Sequence, residues 1–156
     1  MSYDLRAVIA DGEALRDATR DLPAARPASI GQGLSLMPMT DALLETVGDG
    51  GTASAWGFRR LTGGFEKVLA DWSVHGPVAY VEAEYFGGVG EQRAAVWADG
   101  SVVLGPLHVE ENEPFPPAGS PISRALRRLG VVTSAGEDEF SAVGLNRHRH
   151  TEAWIA

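Results

Sequence analysis

The sequence predicts a single α+β domain over residues 1–156, an antiparallel meander sheet packed by two to four helices. Three observations carry this. Residues Val78 to Tyr85 alternate as a strand does, with Ala79, Val81, Ala83 and Tyr85 on one face and Tyr80, Glu82 and Glu84 on the other. Two more strand-like segments follow, Gln92 to Trp97 and Ser101 to Leu104, joined at Asp99-Gly100, a two-residue hairpin signal. Apolar stripes at helical spacing flank these strands, with Phe65, Val68, Leu69 and Trp72 before them and Ile122, Ala125, Leu126 and Leu129 after.

In chain order, Tyr3 to Ala10 reads as a first strand with Leu5, Ala7 and Ile9 on one side. Asp11 then caps a helix carrying Leu15, Ala18 and Leu22, which ends before Pro23. Pro23 to Ser29 is a loop. Leu34 to Met39 is a short strand, placed at a sheet edge or bulged because Pro38 interrupts it. Thr40 caps a short helix through Val47, and Gly48 to Thr52 is a flexible loop within the domain. Gly76-Pro77 stops the Phe65 to Trp72 helix, and the turn Phe86 to Gly90 links the first two meander strands. Four prolines and Glu110, Glu111 and Glu113 between Pro106 and Pro117 mark an extended acidic excursion. Ser120-Pro121 then opens a helix that Gly130 closes. A short helix is predicted in the remainder, where Leu145 and Trp154 anchor the tail and Arg147 and Arg149 reach back to carboxylates or helix carbonyls.

Charge and composition exclude several function classes. There are 13 Lys and Arg against 21 Asp and Glu, a net charge of −8, which disfavours a nucleic-acid binder and suits a basic partner or simple solubility. The absence of cysteine removes thiolate nucleophiles, disulfides and cysteine-ligated metals. No apolar run is long enough to span a bilayer, and Met1-Ser2-Tyr3-Asp4 lacks a signal-peptide pattern, so a cytoplasmic location without membrane association is expected.

No catalytic signature emerges, and neither a cofactor nor a metal is assigned. Gly87, Gly88 and Gly90 follow a strand, as a phosphate-binding loop would, but Glu91 and Gln92 begin another strand where such a loop needs a helix start. Glu82 and Glu84 form the best carboxylate pair, readable as an acid–base couple, as a solvated face, or as partners of Arg93 across the hairpin. His148 and His150 share a face only in extended chain, so a metal site built from them and a distant glutamate has weak support. No serine lies in a G-x-S-x-G turn.

The stretch Val78-Ala79-Tyr80-Val81-Glu82-Ala83-Glu84-Tyr85-Phe86-Gly87-Gly88-Val89-Gly90-Glu91-Gln92 resembles a group of small bacterial proteins, common in actinobacteria, that share a Tyr-Phe-Gly-Gly-x-Gly-x-Gln core. The tail Gly144-Leu145-Asn146-Arg147-His148-Arg149 is similar as well, and together these cover about a third of the chain. Some proteins of this kind resemble immunity proteins, which sit beside secreted toxins and neutralise them. The resemblance implies a non-enzymatic binding protein and carries over no catalytic residue. The residues expected to meet a basic toxin are Glu82, Glu84, Glu110, Glu111 and Glu113. The alternative is a small enzyme or ligand-binding domain with a pocket at the Gly87–Gly90 turn, using Tyr85, Gly87, Gly88, Gly90 and Gln92, with Glu84 as a further polar contact. The chain is expected to be a monomer or a homodimer. In the dimer, Trp97 on the hairpin is the anchor unless it sits in its own core.

Overall fold

Strand β1 (Ser2–Asp11) sends Leu5, Ala7 and Ile9 to one side and Val8 and Ala10 to the other, and all five are buried. A strand apolar on both sides belongs in the middle of a sheet whose two faces are covered. The structure, a computed structural model, describes residues 2–47, 58, 61 and 63–155. It places β1 between β3 (Leu34–Pro38) and β4 (Val78–Phe86) in a six-stranded sheet of order β2-β3-β1-β4-β5-β6, where β2 is Ala28–Ser29, β5 Val89–Ala98 and β6 Ser101–Val109. Every neighbouring pair is antiparallel, and β4, β5 and β6 form the meander.

Helices from the two parts of the chain lie on opposite faces. Helices α1 (Gly12–Thr19), α2 (Asp41–Val47) and α3 (Gly63–Trp72) supply Leu15, Leu43, Phe65 and Leu69 to a core with Val8, Met37, Met39, Tyr80 and Trp97. Helices α4 (Pro121–Arg128) and α5 (Glu139–Ala142), with the tail, cover the other face. There Ile122, Ala125, Leu126, Leu145 and Trp154 meet Leu5, Ile9, Val81 and Val96. Helix starts follow the sequence: Asp11 accepts from the Ala14 amide (3.1 Å), Thr40 from Leu43 (3.2 Å) and Ser120 from Ser123 (3.2 Å). The tail helix is α5, capped by Asp138 on Ser141 N at 2.8 Å.

Several boundaries differ from expectation. Helix α1 ends at Thr19, short of Leu22, which packs against the core from the following turn. Strand β6 continues through Pro106 to Val109. It is an edge strand, and Pro106 falls in the register shift between Leu104 and Leu107 with no partner on β5, so its missing donor interrupts no regular pairing. Strand β3 is not an edge, yet β2 pairs only with Ser35 and Leu36, so Pro38 has no neighbour on that side. The acidic stretch is folded as a turn, with Glu113 N donating to the Glu110 carbonyl (3.1 Å) and Glu110 N to the Glu113 carboxylate (2.9 Å). The loop expected at Gly48 to Thr52 lies outside the described residues.

The tail is fastened along the first residues of β1. Tyr3 OH donates to the Leu145 carbonyl (2.9 Å), Asp4 N to the Arg149 carbonyl (2.8 Å) and Arg6 N to Thr151 Oγ1 (3.1 Å). Arg147 donates to the carbonyls of Ser29 (2.8 Å) and Gly144 (3.2 Å) with its guanidinium 5.4 Å from the Trp154 ring centre, which makes it structural. Partial burial alone raises the Asp4 carboxyl. Hydrogen bonds from His150 and Thr151 and the charge of Arg6 outweigh that, holding its pKa below the ordinary value of 3.8. A pKa depressed by folding contributes stability that is present above the unfolded-state value and lost as pH falls through the folded-state one. The wild type is therefore expected to lose an increment of stability between about pH 5 and pH 2 that Asp4→Asn lacks. Urea midpoints across that range check this, and parallel pH profiles for the two proteins refute it.

Candidate functional site

Two arrangements meet at one end of the sheet, where β1 begins, β6 ends and the β4–β5 hairpin turns. Pairing puts Ser2 opposite Phe86, Phe86 opposite Val89 and Gln92 opposite Val109, so the acidic turn that follows β6 leaves from the hairpin end. The hairpin is built by its glycines. Gly87 (φ 63°) and Gly88 (φ 84°) take left-handed conformations that favour glycine, and a Cβ on Gly90 would fall onto the Glu84 carbonyl and the Tyr85 Cα.

The first arrangement is an exposed surface. Phe86 is 78% exposed, and Val89, opposite it on β5, is also open to solvent. Glu84 lies on the same strand face as Phe86 and is exposed, as are Glu110, Glu111 and Glu113 in the turn after β6. Glu82 departs from the expected surface patch, because it is only 5% exposed. At Glu82 the strand face is covered: it lies opposite Arg6 on β1 and Arg93 on β5, and Tyr80 OH donates to its carboxylate at 2.7 Å. A carboxylate leaves water only with such compensation. Glu82 therefore belongs to an internal polar lattice, in which Arg93 meets Glu91 at 2.7 Å, His108 meets Glu91 at 3.4 Å and Arg6 meets Asp4 at 3.7 Å. The space enclosed by Arg6, Glu82, Glu84, Glu91 and Arg93 is about 20 Å³, too small for a substrate between the two glutamates.

The second arrangement is a cavity of about 450 Å³ against the opposite face of the hairpin. Tyr85, Gly88 and Gln92 line it, joined by Tyr3, Phe115, Phe140, Asp138 and Arg149. Gly87 and Gly90 shape the turn without lining the cavity, and Glu84 points to the other face. The side-chain carbonyl of Gln92 is structural, accepting from Ile122 N (3.0 Å) and so adding a second cap to α4. The Tyr85 hydroxyl is enclosed and has no hydrogen-bond partner of good geometry among the described residues. Burial raises its pKa, opposed by the nearby Gln92 amide and assisted by the Glu91 charge. Tyr3, Phe140, Asp138 and Arg149 come from segments far from the hairpin in sequence. The tail's resemblance to the same protein group is the one signal that touched any of them, through Arg149.

His148 and His150 do not converge. His148 packs edge-on against Trp154 (4.6 Å between ring centres), whereas His150 Nδ1 lies 2.6 Å from Asp4 Oδ1. Among the described residues no group of three or more His, Asp or Glu side chains is placed to hold a metal ion. Trp97 is 2% exposed and so is no dimer anchor; it belongs to the core under α3. No helix among the described residues is long and apolar enough to cross a membrane. Compared with known proteins, the chain matches no family model, no curated protein and no solved structure.

Proposed function

We propose that the chain is a non-enzymatic cytoplasmic binding protein of the toxin-neutralising immunity type, and that its partner is basic. The observation that supports this reading is the exposure of Phe86 and Val89, opposite each other on the hairpin, at the end of the sheet that also carries exposed Glu84 and the acidic turn of Glu110, Glu111 and Glu113. Exposed aromatic side chains are the residues that anchor protein interfaces once buried by a partner. Surrounding carboxylates act earlier, steering a basic protein into contact and raising its association rate. The two sets therefore predict different kinetic signatures.

The experiment is recovery of partners from the lysate and culture fraction of the source cell with tagged protein, followed by binding kinetics on the captured species. A single basic protein held in stoichiometric amount is expected. Combined Glu110→Lys, Glu111→Lys and Glu113→Lys is expected to lower its association rate about tenfold or more at low salt. Phe86→Ala is expected chiefly to raise the dissociation rate. A captured protein that binds the triple variant with unchanged kinetics removes the acidic turn from the interface, and an empty bait overturns the reading. The enclosed Tyr85 hydroxyl, with only the Gln92 amide near it among the described residues, favours a second reading, a small polar ligand in the 450 Å³ cavity. For that ligand Tyr85→Phe is expected to weaken binding about five- to tenfold, read by calorimetry.

A further inference from the structure

At the other end of the sheet, where β1 runs into α1 and β4 begins, the chain encloses a larger cavity of about 830 Å³. Its wall draws on α1, β3, the end of α3 and Leu129 beyond α4, so segments from both layers close around it. The inner surface is apolar, built from buried Leu15, Leu34 and Val78 together with Ala14 and Trp72. The charges are one-sided: Asp11, Glu13, Asp17 and Asp71 line it, no lysine or arginine does, and His75 is the single lining residue able to become cationic. Asp11 caps Ala14 and Asp17 pairs with Arg20 at 2.6 Å, whereas Glu13 and Asp71 have no hydrogen bond or ion pair among the described residues.

The wall is held in shape before any ligand arrives. Gln32 adopts a left-handed backbone (φ 60°), and its side-chain amide pairs with Val132 in both directions, donating to the carbonyl at 2.8 Å and accepting from the amide at 3.0 Å. That pair of hydrogen bonds locks the turn before β3 to the segment after α4. A preformed apolar cavity of this size suits a small organic molecule.

We propose that this cavity binds an organic ammonium ion carried on an apolar body, aromatic or alkyl. Each alternative fails on one feature. The carboxylates oppose an anion, Glu13 and Asp71 most of all, since no cation offsets them among the described residues. A bare metal ion needs several converging ligands and a polar shell, whereas the described side chains form no such group and the inner wall is mainly apolar. A purely hydrophilic cation forgoes the apolar floor, and an amphiphilic one uses the floor and the carboxylates together, with Trp72 in the wall as a π partner. This site is separate from the acidic hairpin end and does not depend on the protein partner proposed there.

The test is an amide NMR titration of the intact chain at low salt with three probes: benzyltrimethylammonium, tetramethylammonium and 3-phenylpropionate. Benzyltrimethylammonium is expected to give saturable shifts at residues 11–18 and 71–78 with an affinity at least about tenfold above either other probe. Glu13→Gln with Asp71→Asn is expected to weaken it about fivefold or more with an unchanged urea midpoint, since both residues are exposed. Ala18→Leu, which narrows the cavity, is expected to weaken it as well. Equal binding of 3-phenylpropionate, equal binding of tetramethylammonium, shifts confined to the Tyr85 cavity, or no saturable shift would each overturn the proposal.

Discussion

Truncating Trp97 to alanine is expected to cost about 3–5 kcal/mol of folding stability, the range for removing a buried aromatic side chain. The residue is 2% exposed and stands opposite Val78 on β4 and Val102 on β6, under the helices of the first part of the chain. Its loss removes apolar contact and leaves a void that a six-stranded ladder is too rigid to close. Against a total stability of about 5–15 kcal/mol for a domain of this size, that is a large fraction. Urea unfolding followed by far-ultraviolet circular dichroism measures it. Phe86→Ala provides the contrast: at 78% exposure it is expected to stay within about 0.5 kcal/mol of wild type. Similar costs for the two would mean that the aromatic residues of core and hairpin had been assigned the wrong way round.

Gly90→Ala is expected to cost about 3 kcal/mol, the upper part of the range for overpacking. The added methyl would meet the carbonyl of Glu84 and the Cα of Tyr85, and neither is a flexible side chain that can swing away. Both belong to β4, which pairs with β1 on its other edge, so relief requires moving the centre of the sheet. Gly88→Ala separates two reasons for glycine in one turn. Nothing lies near its added Cβ, and the cost is that of φ 84°, about 1–2 kcal/mol. Equal unfolding midpoints for the two variants would show that close approach at Gly90 does not constrain the hairpin. Distortion at Gly90 also moves Phe86 and Val89, so binding of the proposed basic partner is expected to fall with Gly90→Ala more than with Gly88→Ala.

The fold was legible wherever the pattern was local. The alternation in β4, the Asp99-Gly100 hairpin, the α3 stripe and the caps at Asp11, Thr40 and Ser120 all depend on residues a few positions apart. What escaped depended on distant neighbours. Glu82 reads as a surface glutamate because alternation reports which face a side chain takes and not what covers that face; Arg6 and Arg93 reach it only once β1 and β5 are placed on either side. Gln92 reads as a contact for a ligand, and its carbonyl is committed to the start of α4, thirty residues on. The acidic residues after β6 were identifiable as a patch but not as a turn, since the bonds that fold Glu110 onto Glu113 leave no trace in hydropathy. Pro106 looked like a strand terminator because its edge position depends on the final strand order.

The fastening of the tail along β1 also sets the order in which the molecule can assemble. Tyr3 finds its hydroxyl partner 142 residues later, at Leu145, and Asp4 and Arg6 are completed by residues between 149 and 151. On the ribosome β1, apolar on both sides, emerges before β3, β4 and the tail, and waits for each in turn. Its native contacts are among the least local in the chain, which places closure of the sheet late and makes folding slow for a domain of this length. Until β3 and β4 arrive, the segment from Leu5 to Ala10, apolar but for Arg6, is an unpaired strand, open to wrong pairing with another nascent chain and the one a chaperone would be expected to hold.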